Sequence, residues 1–196
     1  MKGTGTRLIE YMQGANKRFV IPVYQRNYDW KTENCKWLYD DLVKVNKNKR
    51  KSHFLGSIVS VYEPSEGNVE LLIIDGQQRL TTVSLLFLAM YNLIKEGVII
   101  PNDGMLGTRI YEEYLIDKYQ PKETRIKLKS VKNDQQAFTK LFENEKDHIL
   151  GSNLRLTTVI SIIEYNKKRL PSMNCTMPYA VCKLLIFNLI QTTNLN

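Results

Sequence analysis

Asp75-Gly76-Gln77-Gln78-Arg79 sets a carboxylate, two amides and a guanidinium within five consecutive residues. The apolar run Leu71 to Ile74 precedes them, and a long apolar stretch follows. Four aliphatic residues before Asp-Gly read as a buried strand end, and the next stretch as a helix starting at Gly76 or Gln77. The backbone N–H groups of a first helical turn have no partner within the helix, so the junction can hold an anion, most readily a phosphate. Arg79 can grip phosphate oxygens in a bidentate fork, and glutamine amides can orient a water or read a nucleobase edge. Asp75 is a candidate metal ligand only in the weak sense that applies to any single carboxylate. The structural alternative is a capping box, in which Asp75 and Gln78 satisfy each other's backbone N–H groups. That alternative leaves Gln77 and Arg79 unexplained, since a cation in the first turn opposes the helix dipole.

A second Gln-Arg pair, Gln25-Arg26, follows the extended segment Phe19 to Tyr24, in which Pro22 biases Ile21 away from helix. Two such pairs, each after an extended segment, suit convergence on one site. Tyr24, Tyr28 and Trp30 in the same polar–aromatic loop offer stacking faces for a base, or pack the loop. Other chemistries find no support. There is no G-x-x-x-x-G-K-[ST] and no G-x-G-x-x-G. His53 and His148 stand apart from each other and from Cys35, Cys175 and Cys182, so no zinc-ligand spacing exists and no metal centre is expected.

The elements that must position these residues follow from periodicity. Thr32 reads as the N-cap of a helix with Trp37, Leu38, Leu42 and Val45 on its apolar face. That helix ends in the basic segment Lys44 to Lys51, either a solvated helix end or a contact for DNA phosphates. His53 to Tyr62 and Val69 to Ile74 form a hairpin across Pro64 to Asn68. The helix from Gln77 to about Lys95 is apolar nearly all round and must be buried; Gly97 ends it, and Pro101 to Gly107 reads as a linker. Beyond lie a helix near 111–119, a short strand at 125–129, and helices near 134–143, 152–170 and 177–191. The expected organisation is an α+β core over residues 1–97 and a mainly helical extension over 98–196. The chain's apolar end lacks a polar closing element, so the extension is expected to be incomplete.

With 196 residues and 43% hydrophobic content the chain can bury an ordinary globular core. The formal charge of +8 favours polyanionic partners. It is spread evenly, with 14 Lys+Arg against 10 Asp+Glu in each of 1–97 and 98–196, so there is no detachable basic tail. Three cysteines without a paired pattern suit a reducing, cytoplasmic setting, and no signal or membrane-spanning segment stands out.

Three motifs, Phe19-Val-Ile-Pro-Val-Tyr-Gln-Arg-Asn-Tyr-Asp-Trp30, His53-Phe-Leu-Gly-Ser-Ile-Val59 and Ile74-Asp-Gly-Gln-Gln-Arg-Leu-Thr-Thr82, stand in the order and spacing of the GmrSD-type N-terminal domain. The chain resembles this family densely over 7–97 and more thinly over 98–190. The resemblance implies a ParB/sulfiredoxin-like α+β fold, a small mixed sheet with packed helices. It implies a nucleotide pocket on Asp75, Gly76, Gln77, Gln78 and Arg79, helped by Gln25 and Arg26 and continued by Thr81 and Thr82. Asp75, Gln77, Gln78 and Arg79 would be its catalytic residues, acting on a nucleoside triphosphate with Mg²⁺. The implied role is a regulatory module, nucleotide-binding with or without hydrolysis, of a modification-dependent (type IV) restriction or phage-defence protein. DNA cleavage would fall to a His-Asn-His nuclease domain or subunit outside this chain. The competing expectation is a non-catalytic DNA-binding module.

Overall fold

A computed structural model describes residues 2–47, 54–65, 68–143, 152–155, 158–161, 163 and 189–195. The fold is α+β. Strands β1 (Lys2–Arg7), β2 (Lys17–Val20), β3 (Phe54–Ser65), β4 (Asn68–Asp75), β5 (Leu128–Lys129) and β6 (Leu189–Leu195) form one mixed sheet in the order β1-β6-β3-β4-β2-β5. The hairpin β3–β4 is antiparallel, as its β-branched and aromatic content and turn residues predict, while β2 runs parallel to β4 and β5. Helices α1 (Leu8–Met12), α2 (Thr32–Lys47), α3 (Gln77–Lys95), α4 (Leu106–Arg109) and α5 (Lys132–Phe142) pack with it. α3 is buried on nearly every side, as its all-round apolar sequence requires. Gly97, at φ +70°, ends the helix run with its N–H on Ile94 O at 3.0 Å. One core holds Leu71, Phe87 and Leu88 together with Ile110, Leu128 and Phe138, so residues on both sides of position 97 share it.

Several elements differ from expectation. The extended run after Phe19 stops at Val20, because Pro22 starts a turn closed by Gln25 N–H on Pro22 O at 3.0 Å. Helix α2 buries Cys35, Tyr39, Leu42 and Val43, whereas Trp37 is 66% exposed. Val45 is not described beyond its backbone, and the basic run from residue 48 and His53 lie outside the described residues. The supposed linker at 101–107 ends in buried Leu106 and Gly107, which open α4. The helix near 111–119 is a π-helical turn, Ile110–Leu115, closed by Ile116 N–H on Tyr111 O at 3.0 Å. The strand at 125–129 contracts to β5 and one bridge from Ile126 to Ile116. Of the helix expected near 152–170, residues 158–161 and 163 are helical, whereas 152–155 are irregular. Most of the helix expected at 177–191 lies outside the described residues, but Leu189–Leu195 is a strand. Its Ile-Gln-Thr-Thr core favours extended backbone, and it fills the sheet between β1 and β3. Among the described residues no helix is long and apolar enough to cross a membrane.

A buried ammonium ties the far side of the fold together. Lys127 Nζ donates to the carbonyls of Met12 (3.3 Å), Gly14 (2.8 Å) and Glu113 (2.5 Å), joining α1, the loop before β2 and the π-helical turn. It lines an open cavity of about 500 Å³. Burial lowers its pKa to about 8, offset in part by the Asp117 and Glu113 carboxylates and reinforced by Lys17. The unfolded chain holds that proton up to the ordinary lysine range, so between these limits it binds more protons than the native state. Lys127 therefore makes stability rise with pH above about 8, and its burial penalty is fully present below that. Denaturation of wild type and Lys127→Met from pH 7 to 10 should show this rise as a difference that the variant lacks; parallel pH profiles would contradict it.

Candidate functional site

The strand-to-helix junction is built on a left-handed glycine. Gly76 precedes α3 at φ +88°, and Leu80 N–H donates to Gly76 O at 3.0 Å as the helix starts. A Cβ here would lie 2.9 Å from Ser57 O and from Ile58 Cγ1, so only glycine allows the turn to press against β3. The β3–β4 register slips beside it: Val59 faces Asp75 and Ser60 faces Ile73, leaving Ile74 without a cross-strand partner. Gln25 Nε2 takes the freed Ile74 carbonyl at 2.9 Å. The capping box is not formed. Asp75 lies outside the cap position, no side chain caps the helix, and the Asp75 carboxylate is 64% exposed.

Arg79 turns away from the helix start and docks on β3. Its Nη2 donates to Ser57 O at 2.8 Å, its Nη1 approaches Leu55 O at 3.4 Å, and Asp75 Oδ2 lies 3.8 Å from Nη2. These carbonyls and the carboxylate answer its charge, so the unfavourable dipole needs no bound anion to explain it. The fit depends on Gly56, at φ +105°, where β3 slips against β6. A Cβ on Gly56 would sit 1.6 Å from Arg79 Nη1. The glycines of two separate motifs thus serve one docking surface.

Gln78, buried, holds the aromatic loop. Its Oε1 accepts Asp29 N–H at 2.9 Å and Trp30 N–H at 3.3 Å, while Nε2 donates to Asn27 O at 3.1 Å. One turn on, Thr82 Oγ1 donates to Gln78 O at 2.8 Å and pairs with Tyr28 OH at 2.8 Å, which also lies 3.3 Å from Cys35 Sγ. Burial and Cys35 push the Tyr28 hydroxyl far above its ordinary range; burial likewise raises the Cys35 thiol. Tyr28 is therefore a core side chain rather than a stacking platform, and Thr82 and buried Thr81 lie inside the helix packing. Asp134, given no role by the sequence, accepts Tyr28 N–H at 2.5 Å and Ser152 Oγ–H at 2.6 Å.

The structure brings Gln25, the loop 25–30 and the start of α3 together, as the two Gln-Arg pairs suggest. Arg26 lies between two anchored neighbours, Gln25 on Ile74 O and Asn27 under Gln78, and is itself exposed without a described partner. Gln77 is 8% exposed, and its side chain hydrogen-bonds to no other described residue. Tyr24 is exposed and Trp30 half-buried. What is left for a ligand is therefore Gln77, Arg26, the first-turn N–H groups of α3, Asp75 and Tyr24. Gly56 and Asp134 escape a local reading because their partners are distant in sequence; the only hint was a glycine inside a strand pattern. Gly56→Ala should destabilise the fold by about 3 kcal/mol through overlap and positive φ. In an Arg79→Ala background the penalty should fall to about 1–2 kcal/mol, the backbone part alone. Equal penalties in both backgrounds, measured by urea denaturation, would separate Gly56 from Arg79.

The family model described as GmrSD restriction endonuclease, N-terminal domain, matches residues 8–194. No curated protein matches the chain. The match runs from α1 into β6 and so takes in the junction, the aromatic loop and the sheet that carries them. This chain belongs to the family of GmrSD restriction endonuclease N-terminal domains.

Proposed function

We propose that this domain is the nucleotide-binding regulatory module of a modification-dependent restriction or phage-defence system, with the phosphates of a nucleoside triphosphate over the first turn of α3. The observation that carries the reading is Gln77. A glutamine more than nine-tenths buried at the first position of a 19-residue helix, whose amide pairs with no described residue and still reaches solvent, is placed to bond something outside the fold. The free N–H groups beside it favour negative charge, and exposed Arg26 is a cation on the loop that Gln25 and Asn27 anchor.

The roles divide by geometry. Gln77 and Arg26 contact the ligand, while Gln78, Arg79, Gly76 and Gln25 position the junction. Exposed Tyr24 is available to stack on a base. No cluster of three or more His, Cys, Asp or Glu side chains stands ready for a metal among the described residues. Asp75, whose carboxylate is exposed, would be the residue to help hold Mg²⁺, which would neutralise phosphate charge. In hydrolysis Gln77 would orient the attacking water. DNA is the polymer the whole system would act on, cut by a His-Asn-His nuclease domain or subunit.

Titration of GTP, ATP and CTP with Mg²⁺ tests this. Arg26→Ala and Gln77→Ala should each weaken binding about tenfold or more while leaving the fold intact, since each removes a polar contact to a charged ligand. Absence of binding by folded wild-type protein would overturn it. The +8 charge supports the rival DNA-binding reading. Salt-sensitive DNA affinity without any nucleotide binding would favour that rival.

A further inference from the structure

The aromatic loop has a second face. Between residues 28–35 on one side and Asn153, Arg155 and Thr158 on the other opens a cavity of about 360 Å³, also lined by Trp30, Lys31 and Glu33. None of Arg26, Asp75, Gln77 or Arg79 is among the described residues lining it. Its two walls are joined through one buried carboxylate. Asp134 accepts Tyr28 N–H from one wall and Ser152 Oγ–H from the other, and Ser152 Oγ in turn accepts Leu154 N–H at 3.2 Å. The opening is therefore preformed rather than a gap between loose segments.

Arg155 is fixed on one side only. Its Nη1 donates to Ser152 O at 2.9 Å and to Leu154 O at 3.1 Å, while Nη2 and Nε have no described partner. With Lys31 it outweighs Glu33, so the described lining residues carry a net positive charge. The first turn of α2 adds backbone N–H groups; Cys35 N–H, on Lys31 O at 3.2 Å, is the first to find a partner in the helix. These groups call for an anion, but a bare phosphate would leave most of the volume empty. Trp30 supplies an aromatic surface and Asn153 an amide, the pair that suits a nucleobase. A space of this size is in the range of small-ligand pockets.

We propose that this cavity binds a nucleoside monophosphate unit, with its base against Trp30 and its phosphate between Lys31 and Arg155. The unit is a free nucleotide or the phosphorylated end of a nucleic-acid strand. This site is separate from the one over α3 and does not require it.

Trp30 is the reporter. The chain has two tryptophans, and the other, exposed Trp37, is replaced by Phe. The W37F protein is titrated with the four common nucleoside monophosphates, the matching nucleosides, inorganic phosphate, and short single strands with and without a 5′-phosphate. Nucleoside monophosphates or 5′-phosphorylated strands should quench Trp30; which of the two binds more tightly identifies the source. Removing the phosphate should weaken binding about tenfold or more, and inorganic phosphate should compete without quenching. Arg155→Gln, Asn153→Ala and Lys31→Gln should each reduce affinity, Arg155→Gln by about tenfold, whereas Lys95→Gln on the far end of α3 should not. Arg155→Gln is checked for folding by circular dichroism, and Lys31→Gln and Asn153→Ala change exposed side chains. No quenching by any phosphorylated ligand, or quenching indifferent to all three substitutions, would overturn the proposal.

Discussion

The amide of Gln78 is the contact on which the rest of this site depends. A glutamine side chain has one carbonyl with two lone pairs and one NH₂ with two donors. Here the carbonyl accepts from Asp29 and Trp30, and the NH₂ donates to Asn27. Each such bond contributes about 1 kcal/mol net, but leaving these buried groups unmatched costs about 1–3 kcal/mol each. Three of the loop's backbone groups are thus fixed by one side chain at the second position of α3, beside the Gln25, Tyr28–Thr82 and Tyr28–Asp134 contacts. One consequence lies toward the helix start, where Gln25 and Asn27, the neighbours of exposed Arg26, are anchored. The other faces away, where Trp30 and Lys31 form one wall of the cavity closed by Arg155.

Close backbone approach is the second constraint. Gly76 lets the turn out of β4 lie on Ser57 and Ile58, and Gly56 lets the Arg79 guanidinium lie on β3. Both contacts occur where strand pairing slips, and the slips release the carbonyls that Gln25 and Arg79 then occupy. Irregular strands are therefore integral to the site. They turn main-chain acceptors toward the side chains that lock β3, β4, α3 and the aromatic loop into one rigid junction. A rigid junction suits a ligand that must be held by backbone N–H groups, because those groups cannot adapt one at a time.

The sequence showed which elements exist better than it showed what the polar side chains do. α2, the β3–β4 hairpin and α3 follow from local periodicity and turn chemistry, and the α+β class follows from them. The site residues were found at the right place because an apolar strand ending at Asp-Gly and running into an apolar helix has few readings. Their roles were less legible. Gln78 looked like a capping partner for Asp75 because that pattern is local, whereas its real partners lie 48 to 51 residues earlier. Arg79 looked uncompensated because Ser57 O and Leu55 O are invisible without the tertiary fold. The role of the Asp134 carboxylate was not legible, since its partner Tyr28 is 106 residues away. Trp37 was assigned to the core and Tyr39 passed over, because aromatic residues at neighbouring helical positions compete for one face. The last strand was read as helix, as a short apolar run is ambiguous until its neighbours β1 and β3 are known.

The central claim is that α3 begins at a preformed anion site in which Gln77 touches the ligand and Gln78 does not. Amide-resolved nuclear magnetic resonance during titration with magnesium pyrophosphate tests it most directly. The account predicts the largest shifts at the backbone N–H groups of Gln77, Gln78 and Arg79 and at the Gln77 side-chain NH₂, with the Gln78 NH₂ nearly still. Shifts centred elsewhere, or a Gln78 NH₂ that moves while Gln77 does not, would contradict it.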